Sequence, residues 1–222
     1  MAVQIFGREK VPDFSTYYYY YRLKQLSPVL LIDFLNFISS KLLRKYSGQV
    51  RFLIIDGTGF KYDELYPLKI LRGKEIKKVK SHVKVVILSV HLRSGKRFVL
   101  TALPGESYAS EVKLGNKLLY WLSDREFVLK ALKDKPLLGD KAYDSKEFIG
   151  LVLSSGLLSY IKVKESFRKR VKSELRLRCK ELEESDDVYR FRRLIENIFG
   201  EIKQDVGSYE RTRSFHLAQL FS

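Results

Sequence analysis

The sequence predicts an α/β fold, a mixed β-sheet flanked by helices, with a short helical segment at the amino terminus. Three observations predict it. Apolar runs of strand length recur from Val50 onward, and stretches with helical periodicity fall between the later ones. The resulting order is strand, strand, strand, helix, strand, helix, strand, helix. Its first three strands can meander antiparallel, and the rest alternate with helices. At 222 residues and 45% hydrophobic content the chain can also bury a core of its own, which excludes a disordered tail.

The elements follow in order. Residues 1–49 read as a helical segment and a candidate DNA-binding arm, carrying seven basic and three acidic side chains. Ser27-Pro28 starts a helix whose apolar periodicity runs through Val29, Leu30, Phe34, Phe37, Ile38 and Leu42 until Gly48 stops it. Ser15 or Thr16 caps a shorter helix over 17–25, and the tyrosine run 17–21 reads as packing and surface contact before base stacking. Residues 50–222 form the second unit. Val50–Ile55 suits a buried strand that ends at the turn-like Asp56-Gly57-Thr58-Gly59. Residues 57–82 are an excursion, and the stretch Leu71–Lys84 holds six basic residues against one acidic, so Lys77, Lys78 and Lys80 read as phosphate contacts.

Val83–Leu92 and Arg97–Leu103, joined through R-S-G-K, form an antiparallel hairpin. Ser110 caps a helix to about Leu122, in which Trp121 reads as core. Lys135–Gly139 is a second short strand that delivers an aspartate, Asp140. A helix from Ser145 to about Ser155 follows, Gly156 breaks it, and Leu157–Val163 is another strand. The basic segment 165–180, with Arg168, Lys169 and Arg170 at its head, is a further candidate phosphate surface. Five carboxylates between Glu181 and Asp187 then read as capping and dipole pairing for the last helix.

That helix, Tyr189–Lys203, carries a polar stripe. At ~100° per residue Tyr189, Arg192, Glu196 and Lys203 share a narrow arc beside an apolar face of Phe191, Leu194, Ile195, Ile198, Phe199 and Ile202. If the strands before Asp56 and Asp140 are neighbours, both carboxylates emerge at one sheet edge, and the last helix can bring Glu196 to them. Converging carboxylates need a proton or a cation between them. Oxygen ligands favour Mg²⁺ or Mn²⁺, and two such ions ~4 Å apart can activate a nucleophile on a phosphodiester.

Charge supplies the substrate's sign. The net charge is +16 and the isoelectric point is near 9.8, which points to nucleic acid ahead of an anionic membrane surface. The longest apolar run, Val29–Ile38, is interrupted by Asp33 and Asn36 and is too short to span a bilayer. A single cysteine, Cys179, excludes an intrachain disulfide and a multi-cysteine zinc site. The amino terminus lacks a signal-peptide layout, so the expected location is cytoplasmic and nucleoid-associated.

The motifs I-I-D-G-T at Asp56 and L-L-G-D-K-A-Y-D-S at Asp140 stand in order with a spaced Tyr, Arg, Glu, Lys signature at Tyr189, Arg192, Glu196 and Lys203. With these motifs the chain resembles the catalytic domain of DDE transposases from prokaryotic insertion sequences, over roughly residues 50 to 215. The resemblance implies a ribonuclease H-like fold, with Asp56, Asp140 and Glu196 as catalytic metal ligands. It further implies that Tyr189, Arg192 and Lys203 position transposon-end DNA and that Tyr143 supports the site or touches DNA. The expected activity is metal-dependent hydrolysis at element ends and strand transfer into target DNA, by a homodimer on DNA. The chain stops nineteen residues after Lys203 and its amino-terminal arm is short, so the alternative is a truncated or repurposed, catalytically silent DNA-binding protein. A metal nuclease acting on RNA in a hybrid is a third reading.

Overall fold

The structure is a computed structural model that describes residues 27–69, 76–164, 173–185, 187–207 and 209–210. The tyrosine run, the helix expected over 17–25, Asp186, and Arg168, Lys169 and Arg170 lie outside the described residues.

Helix α1 (Pro28–Tyr46) begins where the sequence places it: Ser27 Oγ accepts from the Leu30 amide at 3.2 Å, and proline occupies the first turn. Its buried face differs from the expected one. Asn36, Ser39 and Leu43 are buried, whereas Val29, Leu30, Phe34 and Phe37 are exposed. On that face Ser39 Oγ donates to the Leu100 carbonyl at 2.5 Å, and Leu43 joins the core.

Strand β1 (Val50–Lys69) corrects the expectation of a strand ending at Ile55. It runs through Asp-Gly-Thr-Gly and pairs antiparallel with β2 (Ile76–Leu92) from Val50↔Leu92 to Lys69↔Ile76. The two glycines serve close approach rather than a turn. A Cβ on Gly59 would lie 2.9 Å from the His82 ring, and one on Gly57 would touch the Glu111 carboxyl at 3.4 Å. Lys77, Lys78 and Lys80 therefore sit on β2, with backbones opposite Leu68, Pro67 and Leu65. Strand β3 (Arg97–Gly105) completes the meander.

After β3 come α2 (Glu111–Ser123), capped by Ser110, and α3 (Glu126–Leu132), a short helix the sequence pattern did not separate. Strand β4 (Pro136–Gly139), α4 (Lys146–Ser154, capped by Ser145) and β5 (Leu158–Ile161) match the expected order. The carboxyl half of the basic segment is helical, α5 (Glu174–Ser185). The last helix is two elements: a 3₁₀ segment at Asp187–Arg193, then α6 (Leu194–Val206). A two-residue strand β6 (Tyr209–Glu210) pairs with β1 at Lys61 and Tyr62.

The sheet order is β3-β2-β1-β4-β5, antiparallel through β1 and parallel from β1 to β5. This is an α/β fold with a mixed sheet between helices, as the element order predicts. Side chains alternate across β1. Leu53 and Ile55 join the core under α2 and α4, whereas Phe52 and Ile54 join Ile195, Ile198 and Phe199 of α6 in a second core on the other face.

Candidate active site

Parallel pairing of β1 and β4 ends at Ile55↔Gly139, so the next residue on each strand is an aspartate. Asp56 and Asp140 are thereby set side by side where β4 stops and β1 continues. Beyond Asp140 the chain turns into a 3₁₀ segment, Lys141–Tyr143, and Asp140 Oδ1 caps it by accepting from the Lys141 amide at 2.5 Å. Asp56 Oδ1 accepts from the Gly57 amide at 2.8 Å, and its Oδ2 accepts from Arg192 Nη1 at 2.9 Å.

Burial governs Asp56. It raises the carboxyl pKa, against the lowering effects of the Gly57 amide and Arg192, and the charges of Glu111 and Asp140 push the same way as burial. The site thus holds the Asp56 charge at a cost even with a guanidinium on it.

The 3₁₀ segment aims two side chains at this mouth. With three residues per turn, Tyr189 and Arg192 eclipse one another. Tyr189 donates its hydroxyl to the Gly139 carbonyl at 3.3 Å, and its pKa is pushed up to about 12, chiefly by burial. Further along, Lys203 on α6 donates to Thr58 Oγ1 at 2.7 Å, two residues past Asp56 on the same face of β1. Three of the four signature residues are therefore gathered where β4 ends beside the middle of β1.

Glu196 is not gathered with them. It stands in the first turn of α6 with an exposed side chain, because the expected continuous stripe is interrupted where the 3₁₀ segment gives way to α-helix at Leu194. Among the described residues no three His, Cys, Asp or Glu side chains are placed to hold one metal ion. Asp56 and Asp140 are oxygen donors of the kind that suit an oxygen-preferring divalent cation, and the charges of both act on the phenol of Tyr143, whose buried hydroxyl has no partner among the described residues.

Another carboxylate whose charge acts on Asp56 is Glu111, in the first turn of α2, which lies against Gly57. Sequence reasoning did not single it out, since an acid after a serine cap is the ordinary pattern of a helix start. Its proximity arises from how α2 docks over Gly57, which leaves no local signal. Lys84 holds Glu111 at 3.0 Å.

Cations surround the aspartates. A cleft of about 640 Å³ is lined by Asp140, Lys141, Lys162, Tyr189, Arg190, Arg192 and Arg193. It shares Lys141 and Lys162 with a neighbouring cleft of about 840 Å³, whose wall adds Lys164 and Lys180 together with Glu183 and Glu184. Lys164 of that wall is tied by its backbone to a bidentate pair, Arg176 to Asp144 at 2.6 and 2.7 Å.

A family model described as a transposase DDE domain matches residues 48–221. An uncharacterized protein of Aquifex aeolicus (strain VF5) is 32% identical over 216 residues, a match covering 96% of this chain and 64% of the relative. The chain thus spans just under two thirds of the length of that relative. Among solved structures, a crystal structure of the Mos1 mariner paired end complex with Mn aligns with a TM-score of 0.27 and 11% identity, over 82% of this chain and 63% of that chain. No helix among the described residues is long and apolar enough to cross a membrane.

Proposed function

The chain belongs to the transposase DDE domain family, and we propose that it cuts phosphodiester bonds at the ends of a mobile DNA element and joins the freed 3′ ends to target DNA. The observation that carries this reading is the Ile55↔Gly139 register, which sets Asp56 and Asp140 together at a mouth lined with cations.

Asp56 and Asp140 would hold Mg²⁺ or Mn²⁺, two ions in the full site, which supply activation of water or a 3′-hydroxyl and stabilisation of the leaving oxygen. Glu196 is assigned to the same set from the family signature; because its side chain is exposed while Ile195, Ile198 and Phe199 already pack α6 on the sheet, its taking part needs a local change at the start of α6. Arg192, released from Asp56, and Lys203, released from Thr58, bind the phosphates flanking the scissile bond. Lys141, Lys162, Arg190 and Arg193 extend that contact along the cleft, and Lys77, Lys78, Lys80, Arg168, Lys169 and Arg170 contribute further phosphate contacts. Tyr189, tied to the Gly139 carbonyl, braces the loop that presents Asp140. A homodimer on paired ends is the expected assembly.

A second reading, a DNA-binding protein without catalysis, draws on the Arg192–Asp56 pair and the distance of Glu196 from the aspartates. Incubation with element-end DNA and Mg²⁺ or Mn²⁺ separates the two. The catalytic reading expects nicking and joining that vanish in Asp56→Ala and Asp140→Ala. Cleavage that survives those changes overturns it, and salt-sensitive binding with no metal-dependent cleavage supports the second reading.

A further inference from the structure

Most of the sheet ends well before its two longest strands do. Pairing of β1 with β4 stops at Ile55↔Gly139, and pairing of β2 with β3 stops at Lys84↔Gly105, where Lys84 lies opposite Gly59 of β1. Strand β6 adds two pairs, at Lys61 and Tyr62. Beyond them β1 and β2 continue as a two-stranded antiparallel ribbon, from Leu65↔Lys80 to Lys69↔Ile76, with no third strand among the described residues. The ribbon leaves the sheet at a bulge, where Tyr62, Asp63 and Glu64 of β1 stand against Ser81 alone. Such a bulge bends its strand and strengthens the twist, so it sets the direction the ribbon takes.

Two strands without a third are marginally stable by themselves. This pair also concentrates like charge: Lys69, Lys77, Lys78 and Lys80 belong to the ladder, and no acid does. A ribbon that is costly to order and repels itself recovers both losses on a polyanion. Protection of exposed sheet edges accounts for the lysines and for Pro67, but not for the length of the ribbon, since a shorter hairpin has less edge to protect.

Its dimensions match a duplex groove. The major groove of B-DNA, about 12 Å wide, admits a two-stranded β-ribbon, whereas the undistorted minor groove, about 6 Å wide, is too narrow. The ladder lies nine to thirteen positions beyond Asp56 on the same strand. At ~3.4 Å per residue that is about 30–44 Å, and one turn of B-DNA is about 34–36 Å. A duplex running along β1 with a phosphate at Asp56 therefore presents the same groove again at the ribbon.

We propose that the β1–β2 ribbon enters the major groove of the element-end duplex about one helical turn from the bond to be cut, and so fixes which phosphate reaches Asp56. The inference rests on the transposase reading of the chain, and it makes the ribbon a reader of the element end rather than a general phosphate surface.

The test is footprinting of the full chain on an element-end duplex without divalent metal, with dimethyl sulfate reporting guanine N7 in the major groove and adenine N3 in the minor groove. The parent should protect guanine N7 about 9–13 base pairs from the end. That protection should vanish when residues 63–80 are replaced by Asn-Gly, which closes a two-residue hairpin between Tyr62 and Ser81, while protection at the end itself remains. Where the shortened chain does not fold, Lys77→Gln, Lys78→Gln and Lys80→Gln together keep the ribbon. That triple variant should bind more weakly, with the slope of log affinity against log salt reduced by about 2–3.

Guanine N7 protection that survives the shortening, or a loss confined to adenine N3, overturns the inference and leaves DNA cleavage at Asp56 and Asp140 standing. An unchanged salt slope in the triple variant does the same. A shortened chain that keeps the footprint but no longer self-associates in analytical ultracentrifugation also overturns it, by making the ribbon a contact between copies. A parent chain that protects no element-end DNA overturns both readings.

Discussion

Arg192 Nη1 lies 2.9 Å from Asp56 Oδ2, across 136 positions of sequence, with each side chain about one-fifth exposed at 20% and 18%. The pair ties the 3₁₀ segment to the central strand at the point where the cation is expected. Arg192→Ala should destabilise the metal-free chain by about 1–2 kcal/mol, between the values for surface and buried pairs. The same change should tighten Mn²⁺ binding by removing a competitor and weaken DNA binding. Urea denaturation, Mn²⁺ titration and a DNA-binding isotherm read the three effects.

The raised pKa of Asp56 gives a pH signature. Because its folded value lies above the reference of 3.8, the fold favours the protonated form. That contribution is complete below 3.8 and is lost as pH rises through the folded value. Asp56→Asn should therefore melt above the parent at neutral pH without metal, by about 2–4 °C for each kcal/mol recovered in a chain of this size. The difference should close as the pH falls below 3.8, which calorimetric melting across that range measures.

Lys203 donates to Thr58 beside the aspartate, and its ammonium is expected to move to a DNA phosphate. Lys203→Met should lower DNA affinity evenly across sequences and reduce the slope of log affinity against log salt by about 1. Fluorescence anisotropy at several salt concentrations measures both.

Arg176 and Asp144 form a different kind of pair. The Asp144 side chain is 1% exposed, receives two hydrogen bonds from Arg176 and accepts another from the Lys164 amide at 2.7 Å. Arg176→Ala strands that carboxylate and should cost about 3–5 kcal/mol, far more than loss of an exposed ion pair such as Lys130–Glu126. Urea denaturation of Arg176→Ala and Lys130→Ala makes the comparison.

Gly115→Ala probes the packing around Tyr143. The new methyl would lie 2.8 Å from the Phe148 ring and 3.0 Å from Tyr143, both ring atoms of buried side chains. An overpacking cost of about 1–3 kcal/mol is expected, seen as a lowered denaturation midpoint with unchanged slope.

The sequence was most legible where the signal is local. The caps at Ser27, Ser110 and Ser145, the β2–β3 hairpin and the two short parallel strands carry their own turn chemistry or apolar pattern, and they stand where those signals place them. The aspartate pair was legible for a related reason, since each follows directly on its apolar run. What could not be read depends on distant partners. Asp-Gly-Thr-Gly has the composition of a turn, yet β2 pairs along it and His82 and Glu111 occupy the space its glycines leave. Helix α1 buries a face holding Asn36 and Ser39, the latter bonded to a carbonyl 61 positions away, and apolar spacing carries no signal for such a contact. The approach of Glu111 and the 3₁₀ winding at Tyr189 are likewise settled by docking.

The long ladder through β1 divides the site into parts of unequal freedom. Asp56 sits inside the stretch Phe52–Lys61, which pairs with β2 without a register shift, so its backbone is a fixed datum and its carboxylate can adjust by little more than side-chain rotation. Its partners ride on short turns and helix ends: Asp140 at the cap of a three-residue 3₁₀ turn, Arg192 in a seven-residue 3₁₀ segment, and Glu111 and Glu196 in the first turns of two helices on opposite faces. Assembly of a loaded site would accordingly be a movement of the surroundings toward one stationary oxygen pair. The strand would set where on the DNA the bond is broken, and the turns would set when.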